Sequence, residues 1–207
     1  MSLTVSPTGD LGDAFAVGWN KLSDEIKLRI LSCNLLSDDP LHSKRLHDAR
    51  DNLGRSYTIR PEFDKHLAMG ADIARLAHDV FYRGNHFALF VRNGTVFLPP
   101  SASRSLIREI TILASPTEED WFVLEQFSKR ANGFVNIWSI VVALSWPGHY
   151  SLDEYLHPPQ HAIHFACNGV LRVLNNSLYV QPHQLRSHVE RRERLEASIR
   201  SWITFTN

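Results

Sequence analysis

The chain has 207 residues, enough for one domain or one domain with an appendage. A chain of this size buries roughly 70% of the surface that it exposes when unfolded. Its apolar fraction of 43% and charged fraction of 21% exclude a chain disordered throughout. The 22 basic and 22 acidic side chains cancel, which argues against the basic surplus of a nucleic-acid binder and against an acidic solvating protein.

Cys33 and Cys167 are far apart and no CxxC motif occurs. Neither a disulfide framework nor a zinc finger is expected, and a reducing compartment is the simpler setting. Met1–Trp19 has no basic n-region followed by an apolar h-region, so no signal peptide is expected. The greasiest run, Ile137–Leu144 with Trp146 just after, is far shorter than the roughly 20 residues of a membrane-spanning helix. These features predict a soluble protein of the cytoplasm or nucleus with no membrane association.

Residues 1–18 are rich in Ser, Thr, Gly and Asp without a period and read as a loose leader. In 19–36, Leu22, Ile26, Ile30 and Leu31 recur at helical spacing while Lys27 and Arg29 fall off the stripe. Ser23 is the expected N-cap, with Asp24 and Glu25 suited to the positive end of the helix dipole. Residues 37–60 read as a long connection with one helical turn near Lys44–Arg50. A further helix is predicted over 63–83, with Met69, Ile73, Leu76, Ala77 and Val80 on one face, Gly70 as a weak point and Gly84 as a left-handed C-cap. Asn93-Gly94 between apolar runs signals a type I′ hairpin.

Residues 106–114 alternate and are β-branched, so a strand is expected. Ser115-Pro116-Thr117-Glu118 reads as a capping box with proline at the first helical position. The helix it opens should run to about Ala131, with Val123, Leu124, Phe127 and Ala131 facing inward. The apolar run 134–146 reads as a strand buried on both faces. Strand, helix and strand form a βαβ unit, whose strands should be parallel with a right-handed crossover. The strand pattern recurs about 30 residues on, as in leucine-rich repeats, although two copies are too few for a solenoid. Asn168-Gly169, again between apolar runs within 161–174, predicts a second hairpin or a strand pair. A last helix is predicted over about 183–203, with Leu185, Val189, Leu195, Ile199, Trp202 and Ile203 on one side. Trp19 and Trp202 are expected to cap the core.

No nucleophile elbow, S-x-x-K, HExxH, P-loop or G-x-G-x-x-G occurs. The densest histidine group is His157, His161 and His164, near Glu154. A helix would bring these three together for zinc, but Pro158-Pro159 interrupts one, and a strand would turn His161 and His164 to opposite faces. Cys167 beside His164 is the nearest thing to a thiol–base pair, against the commoner reading of a buried structural cysteine. Arg191, Arg192 and Arg194 are interleaved with Glu190, Glu193 and Glu196, which suits ion pairs on a solvated helix face better than nucleic-acid binding.

The segment Leu22-Ser23-Asp24-Glu25-Ile26-Lys27-Leu28-Arg29-Ile30-Leu31 resembles the opening of an F-box, Leu-Pro-x-Glu-(Ile/Val/Leu)-x-x-x-Ile-(Leu/Phe), with Ser23 in place of the proline. Ala77–Phe87 and Leu106–Ile110 resemble phrases of uncharacterised filamentous-fungal F-box-like proteins. This resemblance implies a non-catalytic adaptor with no cofactor, whose Leu22, Glu25, Ile26, Ile30 and Leu31 meet the Skp adaptor of a cullin–RING ubiquitin ligase. The rival reading is a stand-alone fungal interaction domain, which requires Leu22, Ile26 and Ile30 to be buried in the chain's own core. A metal-dependent or thiol enzyme using the histidines or Cys167 is a third.

The fold expected is α+β: N-terminal helices, a mixed sheet of five or six strands with one βαβ crossover and hairpins, and a C-terminal helix. Its parts are a leader at 1–18, a degenerate F-box-like helical segment at 19–60 and an α+β domain at 61–207, the last two forming one compact unit.

Overall fold

The structure is a computed structural model that describes residues 12–42, 59–146, 158–175 and 185–206. Its elements make an α+β fold, and the chain divides into two units, 1–86 and 87–207. The 60/61 boundary read from sequence falls inside a helix of the first unit, and the predicted turn near Lys44–Arg50 lies outside the described residues.

The first unit carries α1 (Gly12–Lys21), α2 (Asp24–Leu35), the short β1 (Leu41–His42), α3 (Ile59–Ala68) and α4 (Ala71–Gly84). The expected leader is therefore helical from Gly12 onward. Within α1, Trp19 is buried and stacks on Phe15 with ring centroids 5.9 Å apart. Ser23 caps α2 as predicted, its Oγ accepting from the Ile26 N–H at 3.4 Å. The single helix expected over 63–83 is instead two helices. Gly70 adopts φ +121°, which only glycine takes readily, and the chain turns there. Ile73, Leu76 and Ala77 are buried, whereas Met69 and Val80 are half-buried. Phe63 of α3 stacks on Phe81 of α4 at 4.1 Å and meets Tyr82 edge-on at 5.9 Å, an arrangement that aromatic quadrupoles favour. Helix α2 packs against both α3 and α4.

Asn85 closes this helical unit. It is buried, and its Nδ2 donates to the carbonyls of Leu35 at 2.8 Å and Phe81 at 2.9 Å. Its Oδ1 accepts from the Ser37 N–H at 2.8 Å. One amide side chain thus satisfies groups at the ends of both α2 and α4, where helix carbonyls lack partners of their own. Asn85, not Gly84, is the cap residue of α4. Gly84 is not left-handed; its bare Cα instead makes room for the Leu36 side chain.

The second unit holds β2 (His86–Arg92, whose first residue precedes the division), β3 (Thr95–Val96), α5 (Ser101–Arg104), β4 (Glu109–Ala114), α6 (Glu118–Ser128), β5 (Ser139–Trp146), β6 (Ile163–Phe165), β7 (Asn168–Asn175), α7 (Leu185–Trp202) and β8 (Ile203–Phe205). Its main sheet runs β2-β4-β5-β7, and β3 pairs with β2. The β2–β3 hairpin is antiparallel, and Asn93 and Gly94 both have positive φ (50° and 70°), as a type I′ turn requires. β4 and β5 are parallel and joined through α6, as the βαβ reading requires.

The parallel ladder continues one strand beyond the sequence reading. Glu109 pairs with Ser139 and Ser139 with Asn168, intervals of 30 and 29 residues. Ile110, Ile140, Ile112, Val142, Leu171, Ala114 and Leu144 fill the buried face. The opposite face, with Thr111, Val141 and Val170 abreast, is only partly covered.

Two local readings change. The predicted hairpin at Asn168-Gly169 does not form: both residues lie inside β7, and β6 pairs in parallel with β8, a strand not foreseen. Gly169 serves packing there, since a Cβ at this position would overlap the Phe205 ring. Helix α6 starts at Glu118 rather than Pro116, capped by Thr117, whose Oγ1 accepts from the Asp120 N–H at 3.4 Å. Asp120 is buried and accepts from the N–H groups of Gly94 at 3.0 Å and Ser115 at 2.9 Å. It thereby ties the hairpin turn to the helix start. Helix α6 stops at Ser128, where Arg130 turns to φ 58°, so Ala131 is exposed rather than inward. Ile203, expected in the last helix, begins β8, and Trp202 meets Trp121 edge-on at 6.1 Å.

Candidate functional site

Helix α2 buries a different face from the one its apolar stripe suggests. Lys27, Leu31 and Leu35, one turn apart, point inward and are buried. Lys27 is only 1% exposed, and its Nζ lies 3.4 Å from Asp24 Oδ1 one turn earlier. The reading that placed Lys27 off the buried face is corrected, because its long stem covers apolar surface while its ammonium reaches a carboxylate. Rotating the helix this way leaves Ile26 at 44%, Ile30 at 39% and Leu28 at 40% exposed. Leu22 is half-buried, Glu25 exposed and Leu31 wholly buried. The five predicted partner-facing residues are therefore split: Glu25, Ile26 and Ile30 face outward, Leu22 is at the margin, and Leu31 belongs to the core. The rival expectation that Leu22, Ile26 and Ile30 all be buried is not met by the two isoleucines.

A second feature escaped the sequence reading. In the second unit a cleft of about 580 Å³ lies between the hairpin turn at Gly94, the first two turns of α6 and the segment 158–163. Trp121 and Phe122 supply aromatic surface, Glu118, Glu119 and Glu125 supply carboxylates, and His161 faces them. These pieces are up to some 70 residues apart along the chain (Gly94 to Ile163), so no local motif announces them. Glu125 accepts from Lys129 Nζ at 2.6 Å, and that hydrogen bond holds its pKa below the usual glutamate value.

Of the histidine group, His161 and His164 fall among the described residues. His164 lies on β6 with Nδ1 2.9 Å from Thr204 Oγ1 and Nε2 3.1 Å from Thr206 Oγ1, so both ring nitrogens are engaged by hydroxyls of the β8 segment. His161 lines the cleft, while His157 and Glu154 lie outside the described residues. Among the described residues, no group of three or more His, Cys, Asp or Glu side chains is arranged to hold a metal ion. Cys167 is half-buried, and that burial raises its thiol pKa against the opposing charge of Arg130. This is the reverse of the activation a nucleophilic cysteine needs. On α7, Glu190, Glu193 and Arg194 are exposed and Glu196 pairs with Arg200 one turn on, while the side chains of Arg191 and Arg192 lie outside those described. No helix among the described residues is long and apolar enough to cross a membrane.

Comparison with protein-family models, with curated proteins and with solved structures found no match to this chain.

Proposed function

We propose that this chain is a non-catalytic interaction adaptor of the fungal F-box-like type, docking through α2 on the Skp adaptor of a cullin–RING ubiquitin ligase. The supporting observation is the outward placement of Ile26 and Ile30, one turn apart on a helix whose other face is already packed. Apolar side chains left in water on a folded helix are the usual mark of a partner-binding surface when they adjoin one another. A helix laid against a groove reads its partner through i and i+4 anchors of this kind.

Magnitudes limit what this ridge does alone. Burying a whole isoleucine is worth about 1.5–3 kcal/mol. Covering the remaining exposed fraction of two of them contributes roughly 1–2 kcal/mol, well short of the roughly 8 kcal/mol of a micromolar complex. The contact must therefore spread to Leu22 and the polar surface around Glu25, with the isoleucines at its centre.

The test is co-purification of the full chain with a fungal Skp adaptor. The wild-type protein should be retained. The Ile26→Arg/Ile30→Arg variant should be lost from the complex while keeping its circular dichroism spectrum and thermal midpoint, because neither side chain is buried. Failure of the wild type to bind, or equal binding by the variant, overturns the reading.

A further inference from the structure

We propose that the cleft at the start of α6 is a binding site for a basic peptide segment of a partner protein. Acidic residues in a first helical turn are by themselves unremarkable, since the helix dipole favours them there. Three further observations carry the proposal.

Phe122 is 61% exposed and lines the cleft together with the carboxylates. It shares a helix face with Glu118 and Glu125, four residues before it and three after it, so ring and carboxylates present themselves together. Second, the surface is concave: the cleft's volume of about 580 Å³ falls within the roughly 300–1,000 Å³ typical of ligand sites. Third, its charge is mainly acidic: among the described residues its lining includes three carboxylates, one histidine (His161) and no lysine or arginine. Lys129 already engages Glu125, which leaves Glu118 and Glu119 on the rim as the charges to be met from outside.

An exposed aromatic ring next to carboxylates in a hollow suits a guanidinium or ammonium group. The cation lies over the ring face and donates to the carboxylates. Two exposed carboxylates set in sequence along the rim call for more than one cation, which a peptide with spaced basic residues supplies. The proposal goes beyond the adaptor reading and does not rest on it, because α2 contributes nothing to this cleft.

The experiment measures fluorescence anisotropy of a fluorescein-labelled RARARA peptide with the full chain, at low and at high salt, beside an EAEAEA peptide. RARARA should bind and weaken with salt, and EAEAEA should not bind. Phe122→Ala should weaken RARARA binding about tenfold, and Glu118→Gln/Glu119→Gln by about as much. Asp38→Asn/Asp39→Asn/Glu193→Gln, which removes exposed carboxylates outside the cleft, should leave it within about twofold. Absence of binding at low salt, equal binding of EAEAEA, or equal weakening by the cleft and control variants overturns the proposal. Far-ultraviolet circular dichroism confirms that each variant is folded.

Discussion

Asn85 donates a hydrogen bond of 2.8 Å to the carbonyl of Leu35, a residue 50 positions earlier in the chain. With its bonds to Ser37 and Phe81, this buried amide fastens the ends of α2 and α4 together. Asn85→Ala would strand three backbone groups, each costing about 1–3 kcal/mol when buried without a partner, less whatever water recovers. A loss of about 2–4 kcal/mol in urea unfolding is expected. Asn85→Asp should be at least as damaging, because it sets a carboxylate oxygen against two carbonyls. A loss under about 1 kcal/mol for Asn85→Ala would show that the amide is not what joins the helices.

Gly169 and Phe205 should be energetically coupled. The Phe205 ring lies over the glycine and stacks on Phe165 with centroids 5.6 Å apart. Gly169→Val should cost about 1–3 kcal/mol through overpacking. In a double-mutant cycle with Phe205→Ala, the valine should cost less than it does in the wild-type background, by about 1 kcal/mol or more. Additive losses would contradict the close approach.

The two thiols should react in a definite order. Cys33 is exposed on α2, whereas Cys167 is half-buried with its pKa raised by that burial. Iodoacetamide near neutral pH should modify Cys33 first, with Cys167 following only at higher pH or on unfolding, as mass spectrometry of tryptic peptides can read. The sign for stability follows from the same shift. Folding favours the neutral Cys167 thiol, so its contribution is complete below the unfolded-state pKa and is lost as pH rises through the higher folded-state value. Bound Skp adaptor should also slow Cys33 labelling, since Cys33 lies one turn beyond Ile30.

Glu125 should titrate below an ordinary glutamate. Its carboxylate is held down chiefly by the Lys129 hydrogen bond, which outweighs the opposing effect of burial, with the charges of Lys129 and His161 adding smaller pulls in the same direction. A depressed folded-state pKa means that the pair's contribution is present above the unfolded value and fades as pH falls through the folded one. Carbon-detected NMR of the carboxyl should show the low midpoint, and Lys129→Ala should raise it. An unmoved midpoint in that variant would assign the shift to another cause.

How far the chain could be read in advance depended on whether the deciding contact was local. Asn93-Gly94 was legible because the turn itself demands positive φ at both residues, and both have it. The same dipeptide at 168–169 misled, because the need for Gly169 comes from a ring 36 residues downstream, at Phe205. The helix at 24–35 was legible from its cap and period, yet not its orientation: a lysine counted as solvent-facing is buried, and this turns Ile26 and Ile30 outward. Pro116 suggested an earlier helix start than Thr117 provides, because proline fits equally well in the extended approach to a cap. The cleft had no signature at all, being assembled from a turn, a helix and a loop that only tertiary packing brings together.

The even spacing of β4, β5 and β7 bears on how the second unit assembles during synthesis. Each strand meets its neighbour after about 30 residues, so each pairing closes a loop of similar, modest entropic cost. Strand β6 is different, since its partner β8 lies 40 residues on, beyond α7 (Ile163 pairs with Ile203). A nascent chain halted before α7 would carry a finished ladder beside an unmated strand, and a shortened transcript would leave that edge open to other chains.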